Sequence, residues 1–224
     1  MVTTMKFETF EDILTELVPI RESITAIGEI VLANLVMIGE IAAPTFSEQR
    51  RVEFLKDRFT ESALIDCSID QQENIYAILP GEKGKDNILL VAHLDTVFTE
   101  DVDHTVHVRP DVLIGPGLAD NSLGLATIAT LPSILNHLQI QLQSNLILMG
   151  ASRSQGRGDL AGLRFFLANA DLPIKAGISV EGFHLGRLSH SSIGMLRGEI
   201  NCTVPEEYDW TRLGETGAIL TLNE

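Results

Sequence analysis

Four side chains able to bind a cation or move a proton stand out by where they fall. His93 and Asp95 end one apolar run, Asp120 lies in a glycine-rich turn, and Glu181 ends another apolar run. His93 and Asp95 are two apart, and in extended backbone such residues share a face. The Asp95 carboxylate can therefore lie beside the His93 ring and hold one imidazole nitrogen while the other faces a metal. Asp120 sits within Gly115-Pro-Gly-Leu-Ala-Asp120-Asn-Ser-Leu-Gly124, which delivers a carboxylate to the start of the run Leu125 to Leu138. Glu181 closes Ile178-Ser-Val-Glu181. The His93–Asp95 pair and Asp120 are two separate polar signals that point at one site.

The elements that must position these groups follow from periodicity. Ile88 to Ala92 carries no charge and predicts a buried parallel strand, as does Asn145 to Met149. In open α/β sheets the carboxyl ends of such strands line the binding crevice. Phe7, Phe10, Ile13, Leu14, Leu17 and Val18 predict an amphipathic helix that runs until Pro19 interrupts it. A second helix is expected over Ile20 to Ile38, ended by Ala43-Pro44-Thr45, and Ser47 is a candidate N-cap for a third with inner face Val52, Leu55 and Phe59. Leu64 to Ile69 and Asn74 to Leu79 alternate as strands, and Pro80-Gly81 turns the chain. Thr99 to Val112, with His104 and His107, predicts an exposed hairpin rather than a metal site. Leu125 to Leu138 predicts a helix that Pro132 kinks or stops early, and Leu160 to Ala170 another helix.

Composition narrows the function. Lys plus Arg number 16 against 31 Asp plus Glu, a net charge of -15 that opposes contact with a phosphate backbone and argues against nucleic acid. The two cysteines, Cys67 and Cys202, form no cluster and predict small buried thiols in a reducing compartment. The start of the chain lacks the basic region and apolar core of a signal peptide. Ile30 to Gly39, bounded by Glu29 and Glu40, is about half the length of a spanning helix. No membrane is expected as partner, and the cytoplasm is the expected location.

Five stretches resemble the co-catalytic zinc hydrolases that include acetylornithine deacetylase, succinyl-diaminopimelate desuccinylase, aminoacylase and the glutamate carboxypeptidases. They are Ile41 to Gln49, the HLDTV ending at Val97, Gly115 to Gly124, the strand Asn145 to Gly150 with its turn, and Val180 to Gly182. The resemblance implies an α/β, three-layer domain with a mixed, largely parallel sheet over residues 1–195, in which 1–19 is an extra helix. Residues 196–224 would begin a truncated lid domain. It implies zinc held by His93, Asp120 and Glu181, with Asp95 orienting His93.

The chain departs from that family at its catalytic residues. The family's Glu-Glu pair falls on Ser154 and Gln155, just before GRGDLAG at Gly156 to Gly162. The first glutamate is the general base, and a serine hydroxyl, with a pKa far above neutrality, cannot replace it. Gln155 keeps a carbonyl oxygen as a weak metal ligand but loses the charge. Between Asp120 and Glu181 the only acids are Asp159 and Asp171, so no other alignment restores the pair. The family's C-terminal metal histidine has no counterpart. Its Gly-Gly-His-Ser stretch corresponds to Pro205-Glu-Glu-Tyr-Asp209, which puts Tyr208 in the place of a substrate-binding histidine. The expectation is therefore a metallo-hydrolase-like protein with one zinc site, a doubtful second site, and impaired or absent hydrolysis. Its ligand would be a small molecule or peptide bearing a carboxylate, and a homodimer is possible on this reading. A non-catalytic binding or regulatory module and an active single-zinc amidohydrolase are the alternatives.

Overall fold

Seven strands organise the computed structural model, which describes residues 10–25, 27–191, 194, 198, 200–204 and 218–223. They are Ile65–Ile69 (β1), Ile75–Leu79 (β2), Asn87–His93 (β3), His107–Arg109 (β4), Val112–Ile114 (β5), Asn145–Ala151 (β6) and Ile174–Ser179 (β7). Five form a sheet in the order β1-β2-β6-β3-β7, and β4 with β5 make a separate exposed hairpin. β3 runs parallel to β6 and β7, while β2 is antiparallel to β6 and to β1. The sheet is mixed, as the motifs implied.

The helices are Phe10–Thr25 (α1), Gly28–Gly39 (α2), Gln49–Glu61 (α3), Leu123–His137 (α4), Ala161–Asn169 (α5) and Ala218–Asn223 (α6). α2, α3 and α4 cover one face of the sheet, where Leu35, Ile38, Leu55, Phe59, Leu125 and Ile128 meet Ile75, Ala77, Ala92 and Leu148. α5 covers the other, where Phe166 and Leu163 meet Leu89, Val91, Ile147 and Met149. Alternate residues of β3 and β6 thus face two dry layers, so neither strand has a polar face and both read as uncharged runs. Close packing at the strand ends needs a missing side chain: a Cβ on Gly150 would stand 2.7 Å from Leu55 Cδ1. Met1–Leu185 forms one compact unit and Gly186–Glu224 a second.

Local expectations are corrected at several points. α1 passes through Pro19 and ends at Thr25. Ile13, Leu17, Ile20 and Ile24 keep a spacing of three and four across the proline, so the apolar period of the sequence runs through it unbroken. Ser47 does not cap α3: its N–H closes a turn onto the Pro44 carbonyl, and Glu48 is the flanking residue, whose carbonyl accepts from Arg51 and Val52. α4 continues past Pro132 to His137, so the early stop does not occur. β1 is irregular, with a register shift and Asp66 in the left-handed region at φ 53. Both cysteines are free and only partly buried. In the second unit, residues 198 and 200–204 lie in neither helix nor strand where a lid strand was expected. Tyr208 lies outside the described residues. Among the described residues no helix is long and apolar enough to cross a membrane.

Candidate metal centre

Because β3 and β7 run parallel, their carboxyl ends reach the same edge of the domain, and the chemistry gathers there. His93 is the last residue of β3, and Glu181 follows β7 by two residues. Asp120 comes from the turn that opens α4. One ligand atom of each lies within 4.8 Å of the others, and this is the only such group of three among the described residues. His93 Nε2 is 2.8 Å from Asp120 Oδ1 and 3.8 Å from Glu181 Oε2. The imidazole side chain is 12% exposed, whereas the carboxylates of Asp120 and Glu181 are 54% and 48% exposed. The group is seated on the protein and open to solvent. Among the described residues His104 and His107 join no such group.

The other ring nitrogen is held from behind. His93 Nδ1 lies 2.9 Å from the Asp95 backbone carbonyl and 3.4 Å from its carboxylate, so the closer partner is the main chain of Asp95. That contact makes Nδ1 the donor and leaves Nε2 facing the acids. The Asp95 carboxylate, wholly buried, gathers more than the ring: Thr45 Oγ1 and the Gln155 N–H donate to Oδ2 at 2.8 Å each, and the Ser154 N–H is 3.1 and 3.0 Å from the two oxygens. Burial pushes its pKa up, but the His93 ring and these donors together hold it below the usual carboxylate value. At His93 burial disfavours the imidazolium, yet the hydrogen bonds to Asp120 and Asp95 and the charge of Glu181 outweigh it and carry the pKa up to about 10. Asp120 is held below its ordinary value, first by the hydrogen bond from His93.

Ser154 and Gln155 follow β6 on the same edge. Their side chains replace the two acids that the motif resemblance called for, and their main chain is gripped by Asp95. The Gln155 side chain turns to Asp120, with Nε2 2.9 Å from Oδ1.

Residues that the sequence did not single out complete the setting. Asn121, buried, donates from Nδ2 to the Val180 carbonyl at 2.8 Å, while its Oδ1 accepts from Gly124 at 3.0 Å and Gly182 at 3.2 Å. It ties the residues on both sides of Glu181 to the Asp120 turn. A Cβ at Gly124 would come within 2.4 Å of the Val180 carbonyl oxygen, so this turn needs glycine there. Thr45 supports Asp95. Arg51 and Glu48, both wholly buried, come from α3 and the residue before it. Arg51 donates to the Leu94 and Ile41 carbonyls at 2.9 and 3.0 Å, and Glu48 Oε1 accepts the Arg153 N–H at 2.8 Å. Burial lowers the Arg51 pKa to about 10 against the opposing charge of Asp95, which leaves it a cation at neutral pH. Three buried ionisable groups, Glu48, Arg51 and Asp95, thus stand behind the exposed candidate group. Asn121 carried a usable signal, standing beside Asp120 in the glycine-rich turn. Glu48 lay inside the stretch Ile41 to Gln49 but nothing there marked it as buried, and Arg51 carried no signal.

Residues 74–152, which span β2, β3, Asp120 and β6, match the sequence profile described as Peptidase family M28. Among solved structures the chain is similar to the aminopeptidase PepT from Bacillus cereus, with a TM-score of 0.55 and 18% identity over 68% of this chain and 43% of that one. The di-peptidase Dug1p from Saccharomyces cerevisiae gives 0.61 and 12% identity over 74% and 41%. Aminoacylhistidine dipeptidase from Vibrio alginolyticus gives 0.52 and 20% over 67% and 32%. The chain therefore spans less than half the length of each of these, and at such identities the likeness is one of fold. No curated protein sequence matches it.

Proposed function

We propose, from a chain that has the fold of the co-catalytic zinc peptidases and a Peptidase family M28 segment at its centre, that it is a one-zinc, peptidase- or deacylase-like protein with weak or no hydrolysis. The observation that carries the reading is the convergence of His93, Asp120 and Glu181 within 4.8 Å beside a segment, Ser154–Gln155, that offers no carboxylate. The donor set fits zinc: an imidazole whose Nε2 faces the acids while Nδ1 is held from behind, and two carboxylates open to solvent; a bound cation would take the place of the Nε2 proton. When bound, zinc supplies Lewis acidity toward the carbonyl of an amide.

The chain's own residues supply the rest unevenly. His93, Asp120 and Glu181 hold charge and position at the edge, and Asn121 keeps Glu181 beside Asp120. The Asp95 carboxylate is engaged with Thr45, Ser154 and Gln155, and Glu48 is buried against Arg153, so neither is placed to take a proton from an attacking water. Ser154 has no carboxylate with which to do so. Loss of a positioned general base removes about 10² to 10⁴ in rate. The ligand class supported by the fold is a dipeptide or N-acyl amino acid, bound more readily than it is cleaved.

The test is zinc content measured together with turnover of dipeptides and N-acyl amino acids. We expect close to one equivalent of zinc, binding weakened more than about a hundredfold in His93→Ala because even the supporting partners of a metal-bound histidine are each worth about 10- to 100-fold, and turnover at background. Ordinary peptidase rates abolished by His93→Ala would replace this reading with an active single-zinc amidohydrolase; zinc binding indifferent to His93→Ala would remove the site.

A further inference from the structure

We infer that Gln155 is a positioning residue that holds Asp120 for a single cation and closes the neighbouring position to a second. The inference rests on the zinc reading of His93, Asp120 and Glu181. It concerns a residue that the motifs alone cast as a weak metal ligand, and the geometry gives that residue a different part.

Three observations carry it. First, the Gln155 atom directed at Asp120 is the amide nitrogen, 2.9 Å from Oδ1. An amide nitrogen has hydrogens to donate and no lone pair free for a metal; the reverse orientation would set two acceptor oxygens against each other. Second, the amide is aimed by a rigid base. The Gln155 N–H is bonded to Asp95 Oδ2 at 2.8 Å, the neighbouring Ser154 N–H to both Asp95 oxygens, and the Arg153 N–H to the buried Glu48. Three consecutive main-chain donors are taken by two wholly buried carboxylates, so the side chain at 155 starts from a held point. Third, the oxygen that Gln155 approaches is the one that faces His93 Nε2 at 2.8 Å. Asp120 Oδ1 thus lies between the imidazole and the amide, which sets the rotation of the carboxylate and occupies its Gln155 side with a neutral donor.

A neutral donor and a cation satisfy a carboxylate in the same direction, and only one of them can stand there. With glutamine, Asp120 is satisfied on that side without a metal. With glutamate, two carboxylates would face each other, an arrangement that calls for a proton or a cation between them, and zinc in excess would compete for that place.

The experiment is a zinc chloride titration of the full chain followed by calorimetry and by competition with a chromogenic chelator, with thermal melts to show that each variant is folded. The wild type should saturate at one equivalent. Gln155→Ala should still take one equivalent, about tenfold more weakly, since the hydrogen bond to the charged Asp120 is lost and only part of it is regained from water. Gln155→Glu should take two. Unchanged affinity in Gln155→Ala, or saturation of Gln155→Glu at one equivalent, overturns the role of Gln155 and leaves the zinc site standing. Two equivalents in the wild type overturns it as well, and no zinc in the wild type removes the zinc site and this inference together.

Discussion

The two sides of the strand-end edge differ in what agrees with what. At His93, Asp120 and Glu181 the backbone and the side chains agree: the strand ends converge and the groups presented are of types that can hold a metal. At Ser154–Gln155 the backbone is held as firmly, by Asp95 and Glu48, yet the side chains presented are a hydroxyl and an amide. The difference teaches that the scaffold of this site is built through main-chain donors and buried carboxylates, and is largely indifferent to the side chains it displays. Chemistry at 154 and 155 can change while the fold does not.

Asp95 is common to both sides, so its removal is the most severe way to break the comparison. Asp95→Ala deprives Thr45, Ser154 and Gln155 of their acceptor and leaves the wholly buried Arg51 without its nearby countercharge. Each buried donor left without its acceptor costs about 1–3 kcal/mol. We expect a loss of that size in urea denaturation together with weakened zinc binding, because the segment carrying Gln155 and the support behind His93 loosen together. A variant within about 1 kcal/mol of the wild type, the usual range of an ordinary substitution, would show that Asp95 is not the shared tie.

Glu48 sharpens the comparison, because it holds only the Ser154–Gln155 side, through Arg153. Burial raises its pKa above the ordinary carboxylate value, while the Arg153 N–H pulls the other way. The folded state therefore binds a proton at Glu48 more tightly than the unfolded state does. Its contribution to stability is fully present below the unfolded pKa and is lost as pH rises through the folded one. Glu48→Gln keeps an acceptor for Arg153 and cannot ionise. The difference in stability, variant minus wild type, should increase as pH rises from about 4.5, by at most about 1.4 kcal/mol per pH unit within the titration window. A pH-independent difference in urea midpoints would mean that Glu48 ionises alike in both states.

What the sequence made legible follows the same division. β3, β6 and the three candidate ligands could be found because a strand buried on both faces must be an uncharged run, and a polar residue at the end of such a run is conspicuous. The burial of Glu48 and Arg51 was hidden for the opposite reason. They stand in Glu48-Gln-Arg-Arg51-Val-Glu, which has the composition of a solvated helix start, and only the packing of α3 against the exits of β3 and β6 buries them. Asn121 was visible as a neighbour of Asp120, but its partners at Val180 and Gly182 lie about sixty residues away and are assembled only by the fold. Pro19 misled because a local rule about proline was set against an apolar stripe that ran through it unbroken.

The smallest effect is expected at Ser154, and it tests the comparison most directly. If the segment is held through its main chain, the side chain at 154 should matter little to the fold. The bonds that anchor Ser154 run from its backbone N–H to Asp95, and a glutamate there keeps that N–H. The position is part-exposed, so the longer side chain has solvent to enter and its charge need not be buried. Its nearest electrostatic penalty is the approach to other acids at the edge, screened by water and typically worth less than about 1 kcal/mol. We therefore expect Ser154→Glu to shift the urea unfolding free energy by no more than about 0.5 kcal/mol, the usual range for a surface substitution. A loss above about 2 kcal/mol, beyond what a surface change produces, would show that the serine side chain is itself built into the segment, and that the separation of scaffold from displayed chemistry does not hold at this position.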